Sequence, residues 1–176
     1  MTERPGEGRR AAVLTVSDRV SAGTASDESG PRLADLLTAL GFEVTRATVP
    51  DDVDQIRDQL EAALGSHDLV VATGGTGLAP RDVTPQALAG LLEYEIPGFG
   101  ELMRAEGRRS TAMASLSRSL GGVARRRLVL ALPGSPSGAI ESLEAVIPLL
   151  GHALSTLAGE AGGHPRTATE EAGPWT

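Results

Sequence analysis

Short apolar runs alternate with amphipathic stretches along most of the chain. Three of these runs predict buried strands, at residues 11–16 (AAVLTV), 68–73 (DLVVAT) and 128–132 (LVLAL), because continuous apolar runs suit strands that are covered on both faces. Residues 42–49 predict a further strand. Strands that are separated by helices indicate a largely parallel sheet with helices on both faces.

Apolar residues recur at spacings of three and four between these strands. The spacing predicts helices over three ranges: 33–40, 53–64 and 136–157. Residues 97–107 predict a short helix, and another is expected to begin with Thr84 as N-cap and Pro85 in its first turn. The apolar stripe of the last helix fits the core or a subunit interface.

The two ends of the chain lack this pattern. Residues 1–9 are polar, and residues 159–176 are rich in Gly, Pro, Thr and Glu, so we expect both ends to be disordered. Residues 10–158 are then expected to form one domain, which agrees with a total length of 176 residues. The run Arg125-Arg126-Arg127 is interpreted as the solvated start of a strand.

Composition narrows the possible functions. A net charge of −7 with only 2% aromatic residues argues against nucleic-acid binding, which needs basic surfaces and stacking platforms. No apolar run is long enough to span a membrane, and the N-terminus lacks a signal-peptide core, so we expect a cytoplasmic protein. All sixteen basic residues are Arg and Cys is absent, which excludes lysine and thiolate chemistry.

Polar or glycine-rich segments follow four of the predicted strands. They are Ser17-Asp18-Arg19, Pro50-Asp51-Asp52, residues 73–82 (TGGTGLAPRD) and Pro133-Gly134-Ser135-Pro136. Ligands of open α/β sheets bind beyond the carboxyl ends of the strands. We therefore expect these segments to form one shared site.

The loop after the third strand, here called the glycine loop, is the most informative segment. Gly74, Gly75 and Gly77 lie within four positions, and Thr73 and Thr76 add hydroxyl donors. Glycines let backbone amides approach an anion closely, so the loop is interpreted as a phosphate cradle. A tight turn without a ligand is the alternative.

Asp51 and Asp82 are candidate Mg²⁺ ligands. Asp82 follows the glycine loop and fits a helix cap or turn as well as Mg²⁺ binding beside a phosphate. Asp51 on its own fits a helix N-cap. Its neighbour Asp52 fits either role.

Two further segments offer donors to an anionic ligand. Ser135 and Pro136 begin the last helix, where Ser135 is expected to cap and the helix N-terminus can bind an anion. Ser117 and Arg118 offer a hydroxyl and a guanidinium fork, although the sequence alone favours a plain surface segment.

Seven motifs, in this order and spacing, resemble the molybdopterin adenylyltransferase family of molybdenum cofactor biosynthesis, with its bacterial MogA- and MoaB-like members. They are TVSDR, DESGP, VPDD, TGGTGLAPRDVTP, IPGFGELMR, LSRS and LPGSP, over about residues 10–157. The resemblance implies a three-layer α/β/α fold with a mostly parallel sheet and a homotrimer or hexamer. It also implies Mg²⁺-dependent transfer of AMP from ATP to the terminal phosphate of molybdopterin, with release of pyrophosphate. A molybdenum-inserting enzyme is the implied partner.

The resemblance also assigns roles to single residues. Asp51 and Asp82 match the family's essential acids, which we expect to act in catalysis and to bind Mg²⁺, and Ser117 matches a pterin-contacting serine. The expected substrate- and nucleotide-binding residues are Ser17, Asp18, Thr73, Gly74, Gly75, Thr76, Gly77, Ser117, Arg118, Gly134, Ser135 and Pro136.

Other functions remain open at this stage. The segment Asp27-Glu28-Ser29-Gly30 resembles a paralogous branch that binds pterin without turnover, so a non-catalytic pterin-binding paralogue or scaffold is the first alternative. The second alternative is an enzyme that acts on nicotinamide nucleotides, but such enzymes usually carry a second catalytic domain. A regulatory interaction module would leave the clustered glycines and acids unexplained.

Overall fold

The sheet has six strands in the order β2-β1-β3-β6-β5-β4. The computed structural model describes residues 4–160. The strands are Arg10–Val16 (β1), Glu43–Val49 (β2), Leu69–Thr73 (β3), Tyr94–Glu95 (β4), Leu120–Ala124 (β5) and Arg127–Leu132 (β6). The first four strands in sheet order are parallel to one another. β5 then pairs antiparallel with β6, and β4 pairs antiparallel with β5.

Helices cover both faces of this sheet. They are Asp18–Ser21 (α1), Ser29–Ala39 (α2), Val53–Leu64 (α3), Thr84–Ala89 (α4), Pro97–Ser110 (α5) and Pro136–Ala158 (α6), with a 3₁₀ helix at Ala112–Leu116. One buried cluster joins the sheet to α2, α5 and α6, and a second joins it to α3 and α4. The predicted three-layer α/β/α fold is confirmed. Within residues 4–160, none of the helices is long and apolar enough to cross a membrane.

Burial on both faces explains why β3 is apolar without alternation. Leu69 and Val71 pack into the cluster of α2, α5 and α6, whereas Val70 and Ala72 pack into the cluster of α3 and α4. Successive side chains of a strand point to opposite faces, so a central strand between two helical layers needs apolar residues at every position.

The antiparallel edge of the sheet was not predicted. β4 has two residues, and β5 (LGGVA) carries two glycines, which have low strand propensity. Arg125 and Arg126 form the turn between β5 and β6, with φ of 50° and 60°. The arginine run is therefore a tight hairpin turn in the left-handed region, and only Arg127 belongs to the strand.

The two ends of the described chain pack against each other. Residues 4–9, expected to be disordered, instead form a turn in which Gly6 N donates to Leu40 O. The Arg9 guanidinium donates to Ser155 Oγ near the end of α6. Of the expected disordered tail, all but its first two residues lie outside the described residues.

The hairpin turn generates a stability prediction. The substitution Arg125→Asn should stabilise the protein by roughly 0.5–1 kcal/mol, because Asn adopts the left-handed region more readily than Arg. The Arg125 backbone N–H would still donate to Glu93 Oε1. Urea unfolding of the variant and of the wild type measures the difference.

Arg126→Asn is the matched control for this prediction. The Arg126 guanidinium donates to Leu157 O at the end of α6, so the control loses these bonds and should gain no stability. An Arg125→Asn variant that unfolds at lower urea than the wild type would contradict the prediction.

Candidate functional site

Two adjoining cavities lie at the carboxyl edge of the parallel strands. Their volumes are about 540 and 650 Å³, within the range of small-molecule sites. Four residues line both cavities and form the border between them: Gly75, Asp82, Gly134 and Ser135. The structure thus brings together the four segments that follow the parallel strands.

The cavity of about 540 Å³, here called the apolar cavity, lies between the glycine loop, α5, the 3₁₀ helix and the start of α6. Its apolar walls include Leu78, Met103, Met113 and Leu116. Leu78 is 66% exposed and Met113 64% exposed, so the cavity has an apolar rim. Such walls suit a planar ring system.

The cavity of about 650 Å³, here called the polar cleft, has a different lining. It is bounded by the loop after β1, the start of α2, the glycine loop and the start of α6. Its polar residues include Ser17, Asp27, Ser29, Asp51 and Thr73. The two cavities therefore differ in character and meet at one border.

The glycine loop passes so close to its neighbours that side chains do not fit. Gly74 has φ 103° and Gly75 has φ 63°, a region that favours glycine. A Cβ on Gly74 would collide with Val16 O, and one on Gly75 would lie 2.5 Å from Thr84 Oγ1 and 3.2 Å from Asp51 Oδ1. The loop is therefore held against the carboxyl ends of β1 and β2.

The threonines of this region have three different roles. Thr73 Oγ1 donates to Pro133 O at 2.7 Å, which ties two loops together. The prediction that Thr84 is an N-cap is wrong, because Val83 is the N-cap and Thr84 Oγ1 donates to Gly74 O at 2.7 Å. Thr76 is 4% exposed and lines the apolar cavity; within residues 4–160 its hydroxyl has no hydrogen-bond partner.

Asp51 is held by a reciprocal pair of hydrogen bonds with Asp18. Asp18 N donates to Asp51 Oδ2 at 2.8 Å, and Asp51 N donates to Asp18 Oδ1 at 3.0 Å. Asp52, not Asp51, caps α3, since Asp52 Oδ1 accepts from Gln55 N. Asp51 Oδ1 accepts no hydrogen bond from the described residues and lies beside the glycine loop.

Asp18 is bound by an arginine of the glycine loop. The Arg81 guanidinium donates to both carboxylate oxygens of Asp18, at 2.7 to 3.0 Å. These hydrogen bonds lower the pKa of Asp18. Asp18 lines neither cavity and lies beside Asp51, and its expected contact with the substrates stays a prediction.

Burial raises the pKa of the Asp51 carboxyl. The hydrogen bond from Asp18 N opposes that rise, whereas the charges of Asp18 and Asp82 add to it. The ionised form of Asp51 is therefore costly in this environment. A bound cation would relieve this cost.

Asp82 faces the border between the cavities. Its Oδ2 accepts from Ala79 N at 2.8 Å and would lie 2.7 Å from a Cβ on Gly77. Of the two structural roles that the sequence allowed for Asp82, a helix cap or a turn, the structure shows the turn, because Val83 is the N-cap of α4. Its Oδ1 accepts no hydrogen bond from residues 4–160.

The two acids fit a partial Mg²⁺ site. Asp51 and Asp82 both line the polar cleft, and each keeps one carboxylate oxygen without a protein donor. The described residues contain no cluster of three or more metal-binding side chains. Two carboxylates are a donor set that Mg²⁺ takes together with substrate phosphates and water.

Arg118 does not point a free guanidinium at an anion. Its Nε donates to Gly77 O at 2.8 Å and its Nη2 to Asp82 O at 2.5 Å, while its backbone N donates to Thr76 O. Arg118 lines neither cavity. Arg118 therefore clamps the glycine loop from outside, and its expected contact with a ligand stays a prediction.

The remaining predicted residues lie at the cavities. Ser117 lines the apolar cavity, and its Oγ is 2.8 Å from Ser119 Oγ. Ser135 is the N-cap residue of α6, but its side chain makes no capping hydrogen bond, so that expectation was wrong. Pro136 lines the polar cleft and the N-cap Ser135 lines both cavities, so the N-terminus of α6 lies at the border.

Sequence reasoning missed two charged residues in the apolar cavity, Arg104 and Glu141. Arg104 lies on α5 and donates through Nη1 to Ser119 O at 2.8 Å. Glu141 lies on α6 and accepts from Ser110 Oγ at 2.8 Å. The motif IPGFGELMR was a signal for Arg104, whereas Glu141 had no signal beyond its place after LPGSP.

The fold and the paired cavities define an α/β ligand-binding domain of the doubly wound type. Comparison with known proteins identifies it further: the chain belongs to the family described as "Probable molybdopterin binding domain", which matches residues 12–152. The predicted family is thereby confirmed.

Individual relatives agree with this family. A molybdenum cofactor biosynthesis bifunctional protein of Synechococcus elongatus is 44% identical over 151 residues, which cover 85% of this chain and 47% of that relative. A molybdopterin adenylyltransferase of Helicobacter pylori is 38% identical over 152 residues, 84% of this chain and 86% of that protein. The chain thus spans about half the length of the bifunctional relatives it matches.

The fold is also that of a solved relative. The crystal structure of the molybdopterin biosynthesis enzyme MoaB from Thermus thermophilus has a TM-score of 0.80 and 47% sequence identity. The matched region covers 86% of this chain and 97% of the MoaB chain.

The close packing of the glycine loop generates a second prediction. Gly75→Ala should destabilise the protein by about 1–3 kcal/mol, because the new methyl group would meet Thr84 and Asp51 at a positive φ. Denaturant unfolding measures the loss. Gly98→Ala is the control, since a Cβ there has nothing within 4 Å; equal stability of the two variants would refute the argument.

Proposed function

We propose that this chain is a molybdopterin adenylyltransferase, which transfers AMP from ATP to the terminal phosphate of molybdopterin and releases pyrophosphate. One observation carries the proposal: an apolar cavity and a polar cleft share a border formed by Gly75, Asp82, Gly134 and Ser135. Two substrates that react through their phosphates need such an arrangement. The name of the Helicobacter pylori relative supports the same activity.

Each cavity suits one substrate. The apolar cavity, with Ser117, Thr76 and Gly77 in its lining, accepts the pterin ring system. The polar cleft, with Ser17, Thr73 and Gly74 in its lining, accepts the nucleotide. The reacting phosphates then lie at the border, against the glycine loop and the N-terminus of α6.

The chemistry requires positioning more than proton transfer. A phosphate monoester is already anionic at neutral pH, so the molybdopterin phosphate can attack the α-phosphorus of ATP without a strong general base. The protein holds the two phosphates in line and stabilises the charge that develops between them.

Three protein elements provide that stabilisation. The amides of the glycine loop and the N-terminus of α6 face the border and favour negative charge. Asp51 and Asp82 would hold Mg²⁺, which neutralises phosphate oxygens when bound. The Arg118 clamp and the Arg81–Asp18 pair keep the two acids in place.

The assembly and location of the protein are proposed from the family resemblance. A homotrimer or hexamer in the cytoplasm is proposed, with a molybdenum-inserting enzyme as acceptor of the adenylylated product. Because the chain spans about half of its bifunctional relatives, the activity proposed here is that of this domain.

Asp82→Asn tests the catalytic assignment. The substitution should lower the rate of AMP transfer at least about 100-fold, because the neutral amide is a poor Mg²⁺ ligand, while molybdopterin binding stays largely intact. The rate is measured with molybdopterin, ATP and Mg²⁺ by the release of pyrophosphate and the formation of the adenylylated pterin.

Asp52→Asn is the matched control, because Asp52 caps α3 and lines neither cavity. It should transfer AMP at nearly the wild-type rate. Near-normal turnover of Asp82→Asn would remove Asp82 from the mechanism. A wild-type protein that binds molybdopterin but releases no pyrophosphate would instead be the non-catalytic pterin-binding paralogue.

A further inference from the structure

The apolar cavity contains an acid that the proposed mechanism does not use. Glu141 is half-buried on α6, and its Oε1 accepts a hydrogen bond from Ser110 Oγ at 2.8 Å. Its Oε2 accepts none from residues 4–160, and no arginine of the described chain forms an ion pair with it. Glu141 is thus anchored on one side and keeps free acceptor positions on the other.

Two residues of the same cavity carry hydroxyls that also lack partners. Ser142 is 3% exposed and Thr76 is 4% exposed, and both line the apolar cavity. Neither hydroxyl forms a hydrogen bond with any part of the chain that the structure describes. Within residues 4–160 neither oxygen is among the side-chain atoms that are both fully buried and unpaired, so both hydroxyls reach the surface of the cavity and can bond to a polar ligand there.

The position of Glu141 sets the direction of that ligand. Glu141 lines the apolar cavity only, whereas Gly134 and Ser135, at the start of the same helix, form the border with the polar cleft. A carboxylate repels a phosphate, but the helix N-terminus attracts one. A phosphorylated ligand therefore lies with its phosphate at the border and its ring toward Glu141.

A pterin ring presents an edge that matches a carboxylate. Its 2-amino group and the neighbouring ring N–H are two parallel donors, and a carboxylate accepts such a pair through both of its oxygens. We propose that Glu141 is the specificity residue that binds the 2-amino-4-oxo edge of the pterin in the apolar cavity. The inference rests on the proposed function, which provides the pterin.

The test compares two ring systems that differ at this edge. Lumazine carries a 2-oxo acceptor where pterin carries the 2-amino donor. Binding of each compound to the full-length protein is measured by the fluorescence of the compound. The wild type should bind pterin at least about tenfold more tightly, because lumazine places an acceptor against the carboxylate.

Glu141→Gln should reduce this preference to within about threefold, because the amide can donate to the 2-oxo group of lumazine. In the AMP-transfer assay the variant should raise KM for molybdopterin at least about tenfold and change kcat less than threefold. A general loss of structure would weaken the binding of both compounds, whereas this substitution should weaken the binding of pterin and strengthen that of lumazine. Glu144→Gln, an exposed position of the same helix outside both cavities, is the control and should keep the wild-type preference.

The outcomes separate this inference from the proposed function. Equal or undetectable binding of the two compounds by the wild type, or an unchanged preference in Glu141→Gln, overturns the role of Glu141. If the wild type still transfers AMP to molybdopterin, the proposed function stands in those cases. A preference for pterin that disappears in Glu141→Gln supports the role of Glu141 even if no AMP is transferred, and the adenylyltransferase proposal then fails.

Discussion

The site depends on close backbone packing around Gly74 and Gly75. A side chain at either position would meet the end of β1, Thr84 or Asp51, and Gly134 approaches Gly74 from the β6 side, where an added Cβ would lie 3.1 Å from the Gly74 Cα. Three strand ends and the start of α4 are thus brought within contact distance of one loop. The border between the two cavities exists because no side chains separate these loops.

Two arginines hold this arrangement in different ways. Arg118 donates to the carbonyls of Gly77 and Asp82 and fixes the backbone of the loop, whereas Arg81 binds the carboxylate of Asp18. Asp18 in turn exchanges hydrogen bonds with Asp51. Both acids of the proposed Mg²⁺ site are therefore positioned by residues that line neither cavity, and each retains one oxygen for a ligand.

The sequence predicted features that depend on local pattern. The apolar runs located β1, β3 and β6, and the glycine loop was recognised because its chemistry lies within a few residues. The clamp formed by Arg118 was not predicted because it binds carbonyls about forty residues away, and a backbone acceptor leaves no trace in sequence. Thr84 looked like an N-cap because its competing acceptor, Gly74 O, is apparent only after folding. Glu141 was missed because helical spacing does not indicate which polar position of a helix faces a cavity.

The path of α6 has a consequence for how this domain can be joined to others. The helix begins at the cavities with Pro136 and runs back over 23 residues, so it ends at the amino edge of the sheet, where Arg9 binds Ser155. The first strand also starts there. Both ends of the described residues 4–160 therefore lie on the side away from the cavities, and a second domain packed against that side, as in a two-domain polypeptide, would leave access to the bound substrates open.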